Sequence, residues 1–163
     1  MIEPIDNSQQ RQVLARTEHF IVTAEEALER GFDRIPVLFD LSGTTAGMFR
    51  AHGRQRELRY NPWIFSKYWD VNFQETVPHE VAHYIVHEVF GRRARPHGEE
   101  WRALMTKFGA RPEATFQLDL SGVPQRRVFE ALLGQDRHRQ LGQVLERQVL
   151  DPRALEQCPR RGE

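Results

Sequence analysis

Two histidines and a glutamate in residues 79–83 have the types and the spacing needed to activate water for hydrolysis. The segment reads His-Glu-Val-Ala-His, so His79 and His83 are four positions apart. In a helix, four residues advance about 6 Å and make a little more than one turn, so both imidazoles project from one face and can bind one ion. Glu80 then lies about 100° round the helix, beside the open coordination position of that ion. The pattern predicts a metal site with a general base next to it.

A third protein ligand is required, and helix geometry excludes the nearest candidate. His87 shares the helical face, but it lies about 12 Å along the axis from His79, whereas ligands of one zinc ion lie within ~4 Å of each other. Positions 86 and 89 are both valine. The metzincin spacing, which would place a glycine and a histidine there, is therefore excluded.

The remaining candidates for the third ligand are His97, Glu99 and Glu100, which follow a loop long enough to turn back toward the metal. We favour His97, because the stiff Pro96 before it and the small Gly98 after it would let a fixed side chain approach the ion closely. The sequence therefore predicts a site of three imidazoles, for which one Zn²⁺ is the default ion. Glu99 and Glu100 remain the alternatives for the third ligand.

The reaction follows from this ligand set. Zinc with three protein ligands and one water lowers the pKa of that water toward ~7, and a carboxylate can take its proton as it attacks a carbonyl. We therefore expect Glu80 to be the catalytic base and peptide bonds of protein substrates to be hydrolysed. The simpler interpretation, two histidines packed on a helix without a metal, does not account for the glutamate between them.

The helices that must position these residues can also be predicted. Residues 70–90 have a helical pattern that ends at Gly91, and Pro78 inside it should kink the helix or mark where its ordered part begins. A second helix is predicted over 98–108. Asn61-Pro62 opens a short helix, since proline is well tolerated in a first turn.

The N-terminal part predicts a helix followed by a small sheet. Apolar positions in residues 7–30 recur at helical spacing, and Gly31 supplies a stop. Residues 34–40 predict a short strand, and 46–51 and 57–60 predict two more, joined as a hairpin. The fold class is therefore α+β, with an N-terminal helix, a three-stranded and mainly antiparallel sheet, the active-site helix and a following helix.

The composition limits the partners. With 23 basic and 23 acidic residues, the chain has no overall field that would hold nucleic acid or an anionic membrane. Contact with DNA would have to come from local clusters of arginine. These clusters are explained more simply as part of a solvated protein surface. The clusters are Arg50, Arg54, Arg56 and Arg59, and then Arg92, Arg93 and Arg95.

Cysteine use and the N-terminus suggest where the protein acts. Cys158 is the only cysteine, which excludes an intrachain disulfide and a thiolate-rich metal site. No basic start with an apolar stretch resembles an export signal, and no apolar run approaches the ~20 residues of a membrane span. We expect a cytoplasmic monomer that does not bind membranes.

The sequence resembles the SprT-like family of zincin metalloproteases, which includes the Spartan proteases that degrade proteins crosslinked to DNA. The resemblance lies in residues 77–83, in Phe90-Gly91, and in 96–101 with the following Met105. Residues 43–47 and 60–62 also resemble the family's sheet region, so that about 10–120 is covered.

This resemblance implies roles for four residues. His79, His83 and His97 would bind zinc, and Glu80 would be the catalytic base. It also implies a minimal helix–sheet–helix protease core with an open groove for flexible protein segments, and a link to DNA–protein crosslinks.

The C-terminal part departs from the family pattern. We divide the chain into a protease core, 1–122, and a tail, 123–163, in which relatives usually have a zinc ribbon with two cysteine pairs. Residues 129–134 contain no cysteine, and Cys158 is alone in the second place. We expect a degenerate ribbon, β-like or irregular, that binds no second zinc. Residues 115–120 alternate like a strand, and 137–150 resemble a polar helix.

Two other functions are compatible with the sequence. In the first, zinc only braces a non-catalytic DNA- or protein-binding module, although a structural site needs no base and usually closes its fourth position with another protein ligand. In the second, the arginine clusters make a DNA-binding surface and protease activity is secondary.

Overall fold

The computed structural model describes residues 2–113 and 117–124, which belong to one unit, 1–125. An N-terminal helix is followed by a small sheet and then by further helices, so the predicted α+β class is confirmed. The elements are α1 (Asn7–Leu28), β1 (Val37–Leu38), β2 (Gly47–His52), β3 (Gln55–Tyr60), α2 (Pro62–Lys67), α3 (Trp69–Val71), a π-helix (Asn72–Thr76), α4 (Val77–Phe90), a 3-10 turn (Gly91–Arg93) and α5 (Glu99–Lys107).

Helix α1 begins and ends through local side-chain contacts. The Asp6 side chain accepts the backbone N–H of Gln9, and the Gln9 side chain accepts that of Asp6, which completes a capping box. The helix ends at Glu29, which has left-handed backbone angles, and not at Gly31 as predicted. The Glu25 carboxylate accepts the N–H of Phe32 at 2.8 Å. The chain must reverse its direction between these two residues to make this contact, so the helix ends before Gly31.

The sheet has the order β1-β3-β2 and is mixed. Strands β2 and β3 are antiparallel because a two-residue turn joins them, with His52 paired to Gln55. Strand β1 pairs with β3 in parallel, Val37 opposite Leu58. The predicted sheet of three mainly antiparallel strands is therefore present. Its first strand is shorter than predicted and runs parallel to β3.

The segment predicted as one helix over 70–90 consists of three consecutive helical pieces. Before α4 the backbone widens into the π-helix, in which the N–H of Val77 bonds to the carbonyl of Asn72, five residues back. Pro78 follows in the first turn of α4. Proline lacks an N–H and its ring clashes with the carbonyl four residues back in a regular helix, and a wider turn relieves this clash. Pro78 thus marks the start of the regular helix, one of the two outcomes predicted.

The side chain of Asn72 stabilises the wide turn. Its amide group donates to the carbonyls of Ile64 (3.1 Å) and Tyr68 (2.8 Å), and its oxygen accepts from the Thr76 hydroxyl at 2.9 Å. Asn72 is fully buried, so these bonds satisfy polar groups that water cannot reach.

The hydrophobic core lies between α1, the sheet, α4 and α5. Each element contributes residues from one face, in keeping with the helical and alternating patterns of the sequence. The main contributors are Val13, Phe20, Ile21 and Ala24 from α1, Leu58 and Tyr60 from β3, Val77, Val81, Tyr84 and Ile85 from α4, and Trp101, Leu104 and Met105 from α5.

Some predictions fall at the edge of the described residues or beyond it. Residues 117–120 are not part of a strand, contrary to the alternation seen in 115–120, and residues 115 and 116 lie outside the described part of the chain. The degenerate ribbon and the helix at 137–150 lie outside the described residues. In the described part of the chain, no helix combines the length and the hydropathy of a membrane span. The cytoplasmic location and the monomeric state stay predictions.

The fold depends on Asn61, which we expect to be sensitive to substitution. Its oxygen accepts the N–H groups of Trp63 and Ile64 at the start of α2, and its amide donates to the Gly43 carbonyl at 3.2 Å. Asn61→Ala should lower the free energy of unfolding by ~2–3 kcal/mol, since a helix cap is lost and a buried carbonyl is left unpaired. Urea unfolding measures this, with Asn7→Ala, at an exposed position, as the control. Equal stabilities of the two variants would contradict this role.

Candidate metal centre

Three histidines meet at one point of the structure. The Nε2 atoms of His79, His83 and His97 are each 3.1 Å from the other two. Two of them come from consecutive turns of α4, and the third comes from the loop before α5. In residues 2–113 and 117–124, no other histidine, cysteine or carboxylate belongs to this cluster. The three favoured positions are therefore brought together as one candidate metal site.

The dimensions of the cluster fit a tetrahedral cation. With bonds of ~2.0–2.1 Å, nitrogens that are 3.1 Å apart subtend angles of about 95–102° at a zinc ion, near the tetrahedral value. Three Nε2 atoms this close can present their lone pairs to one cation when each ring carries its proton on Nδ1. The donor set therefore fits zinc, with one coordination position left for water or substrate.

His97 owes its position to an unusual backbone. Its φ angle is +56°, in the left-handed region that residues with a side chain seldom adopt, histidine among the more tolerant of them. Gly98 follows, and its N–H bonds to the Arg95 carbonyl at 2.9 Å. A Cβ atom at residue 98 would lie 3.0 Å from that carbonyl oxygen. A side chain at residue 98 would therefore fit only if the Arg95 carbonyl shifted, so the tight turn favours glycine next to the histidine.

Trp101 packs against all three histidine rings. It is almost completely buried, and its ring centre lies 4.8, 5.7 and 4.7 Å from those of His79, His83 and His97. Its indole N–H also donates to the His79 carbonyl at 3.3 Å. A helix over 98–108 was predicted from the sequence, but this supporting role of Trp101 was not.

The same surroundings keep the imidazoles neutral. Burial, followed by His83 and His97, lowers the pKa of His79 to about 3. Burial, followed by His97, lowers the pKa of His83 to about 4. The pKa of His97 is also lowered, by burial and then by Arg102. Cation binding requires the neutral form of histidine, so all three are in the binding form at neutral pH.

Glu80 is buried beside the cluster and held in one orientation. Only 7% of its surface is exposed, and its Oε2 accepts the backbone N–H of Phe49 in β2 at 2.8 Å. Burial raises the pKa of Glu80 to about 8, against the lowering effect of this hydrogen bond. A cation on the neighbouring histidines would favour the carboxylate form, because opposite charges attract.

Gly47 allows β2 to approach Glu80 this closely. A Cβ atom at residue 47 would lie 2.7 Å from Thr76 Cγ2 and 2.8 Å from Glu80 Cγ. Any larger residue would therefore displace the carboxylate or the strand. This role was not predicted from the sequence, although Gly47 lies in a segment, 43–47, that carries part of the family resemblance.

The other candidates from the sequence lie apart from the cluster. The ring of His87 contacts Phe49, and its Nδ1 is 3.2 Å from the carboxylate of Glu88. Glu99 and Glu100 are in the first turn of α5, and neither belongs to the histidine cluster.

The two arginine clusters differ in their pairing. In the first, three of four members form ion pairs and are poor candidates for contact with phosphates. These are Arg50 with Glu57 at 3.4 Å, Arg56 with Glu88 at 2.7 Å and Arg59 with Asp40 at 2.9 Å. In the second, Arg92, Arg93 and Arg95 are exposed, and none forms an ion pair within the described residues. This cluster lies in the loop that leads to His97.

Comparison with known proteins finds one family and several relatives. The model of the SprT-like family matches residues 17–121. The protein is similar to Protein SprT of Shewanella oneidensis, 36% identical over 120 residues that cover 73% of this chain and 75% of the relative. Protein SprT of Pseudomonas aeruginosa is 44% identical over 91 residues (56% of this chain, 54% of the relative). Protein SprT of Pseudomonas syringae pv. tomato is 40% identical over 94 residues (58% and 56%). The chain thus spans about half the length of the two Pseudomonas relatives. No solved structure matches significantly.

Removal of the third imidazole should weaken cation binding selectively. We expect the protein to bind one Zn²⁺ per chain, and His97→Ala to lower its affinity by more than ~100-fold, since loss of even outer-shell partners costs 10–100-fold. Metal analysis and competition with a chelator measure both quantities. His87→Ala, on the same helix but outside the cluster, is the control and should bind normally. Unchanged affinity in His97→Ala would exclude it as a ligand.

Proposed function

Because the chain belongs to the SprT-like family, we propose that it is a zinc-dependent endopeptidase that hydrolyses peptide bonds of protein substrates. His79, His83 and His97 would hold the ion, and Glu80 would be the general base. The observation that carries this proposal is the triangle of imidazole nitrogens next to a buried, oriented carboxylate. Zinc in such a site supplies a Lewis acid that polarises a carbonyl and makes water more acidic.

Glu80 has one oxygen fixed and one available. Its Oε2 is engaged by the N–H of Phe49, whereas Oε1 lies against Gly47 at the cleft. Oε1 is therefore the atom that would take a proton from water during attack and return it to the leaving amine. The short distance between β2 and α4 keeps this oxygen in place, so little reorientation is needed during the reaction.

The main alternative is a module in which zinc braces the fold without catalysis. A structural zinc site normally has four protein ligands, and within residues 2–113 and 117–124 only three donors converge. A brace would also gain nothing from a buried carboxylate, which is costly to keep beside a metal site without a role. Both points favour the enzyme.

Replacement of the base separates these two functions. Glu80→Gln should lower the rate of casein cleavage by ~10²–10⁴-fold, because an amide cannot accept the proton, while the bound zinc stays at one ion per chain. Gel and mass-spectrometric assays of the zinc-loaded protein measure cleavage, and metal analysis of the same sample measures zinc. Glu88→Gln, on the same helix and paired with Arg56, is the control. Cleavage at the original rate in Glu80→Gln would exclude the proposed mechanism, and an inactive wild type would favour the brace.

We further propose that the substrates include proteins crosslinked to DNA. The support is the second arginine cluster, in which Arg92, Arg93 and Arg95 are exposed and without ion pairs in the described part of the chain. Phosphates bound there would lie close to His97, so a protein attached to the same DNA would be held near the metal.

Salt dependence tests this DNA contact. Each phosphate contact contributes about 0.9 to the slope of log affinity against log salt concentration for duplex DNA. Combined replacement of Arg92, Arg93 and Arg95 by Ala should therefore lower that slope by roughly 2–3, with cleavage of DNA-free casein unchanged. Fluorescence anisotropy at several salt concentrations measures it. Binding that does not vary with salt in the unmodified protein would end this part of the proposal.

A further inference from the structure

A cleft of about 450 Å³ opens directly beside His79 and Glu80. Its floor includes Ile64, which is buried, and its inner side is formed by residues 44–47 before and at the start of β2. Its outer side is formed by Gln117, Leu118 and Leu120. The cleft is large enough for a side chain of the substrate, and its position makes it a neighbour of any bond cut with the help of Glu80.

Two leucines on the outer side of the cleft do not pack in the hydrophobic core. Leu118 and Leu120 line the cleft and are only half-buried. Neither belongs to the hydrophobic core nor to the partly buried residues packed against it. Apolar surface of this kind favours an apolar ligand, since burying a leucine or phenylalanine side chain contributes ~1.5–3 kcal/mol. An acidic side chain in the same place would face the carboxylate of Glu80.

Asp119 and Ser121 are held by the last residue of α2, Lys67, and by Tyr68 after it. Lys67 Nζ donates to the carbonyls of Asp119 (2.6 Å) and Ser121 (2.9 Å) and to the Asp119 carboxylate (3.0 Å). The Tyr68 hydroxyl donates to the same Asp119 carbonyl at 2.6 Å. Further along the chain, Val123 is buried. The two leucines are therefore held at the cleft by contacts of Asp119, which lies between them, and of Ser121, which follows them.

We propose that this cleft is the subsite for an apolar side chain of a residue adjacent to the bond that is cut, and that Lys67 positions its outer side. The inference rests on the proposed function, because it names the part of a protein substrate that the same site selects. Leu118 and Leu120 contact the side chain, whereas Lys67 acts only through residues 119–121.

The first test measures the preference of the cleft for apolar side chains without catalysis. Leucine hydroxamate and asparagine hydroxamate share the same metal-binding group and have neutral side chains of similar size, so their affinities for the zinc-loaded Glu80→Gln protein differ through the polarity of the side chain. We expect the leucine compound to bind at least ~10-fold more tightly, as measured by calorimetry. Leu118→Asp should reduce this ratio to below ~2-fold. Leu14→Asp makes the same change at an exposed position of α1 and should leave the ratio unchanged. Equal affinities for the two compounds, or an unchanged ratio in Leu118→Asp, would overturn the proposal.

The second test uses the active protein. Among the casein bonds that it cuts, Leu, Ile, Phe and Met should be enriched at one of the two flanking positions, and Leu118→Asp should remove this enrichment. An inactive wild type with selective hydroxamate binding would exclude the endopeptidase and retain the apolar subsite. Cleavage without side-chain preference would retain the endopeptidase and exclude the subsite.

The third test concerns Lys67 as a positioning residue. The chain has only two lysines, so Lys107→Met, at an exposed position of α5, is a matched control for Lys67→Met. Lys67→Met should raise KM about tenfold, with little change in kcat. A tenfold change is what the loss of about one methylene of contact between the substrate and the leucines would cause. Lys67→Met should also speed hydrogen exchange of the amides in 117–121. Lys67→Arg should restore much of both. Faster exchange with unchanged KM and hydroxamate ratio would exclude this role of Lys67.

Discussion

The site depends on holding three imidazole nitrogens 3.1 Å apart. In the tautomer that binds a cation their lone pairs face one another, so the protein must fix each ring by other contacts. Helix α4 fixes two of them through its pitch, and the strained backbone of His97 brings in the third. Trp101 packs against all three rings, and packing of this kind prevents the rotamer changes that would separate them. A preorganised site of this sort loses little conformational freedom when a cation binds.

The second constraint is the close approach of β2 to α4. A carboxylate that is 93% buried is costly in a protein interior, and the single N–H of Phe49 compensates for only part of that cost. Gly47 makes this arrangement possible, since a side chain there would collide with Glu80 and Thr76. Local rules of stability are commonly broken at functional sites and compensated elsewhere.

Local pattern was sufficient for much of the fold and for the positions of the clustered residues. The spacing of His79 and His83 and the flanks of His97 led to the observed cluster, and helical periodicity led to α1, α4 and α5. What could not be predicted depends on contacts between distant residues. Examples are the end of α1 at Glu29, which follows a hydrogen bond from Phe32, and the parallel pairing of β1. A strand was also expected where Lys67 holds an irregular segment, because alternation in sequence does not reveal a missing partner strand.

The hydrogen bond between Phe49 and Glu80 has a consequence for the outer edge of the sheet. Strand β2 is an edge strand, and unpaired N–H groups on such an edge are a template on which strands of other chains can add. At Phe49 the donor is already engaged by a side chain of α4, and the next residue is the charged Arg50. The contact that orients a carboxylate for chemistry therefore also makes this edge less able to aggregate.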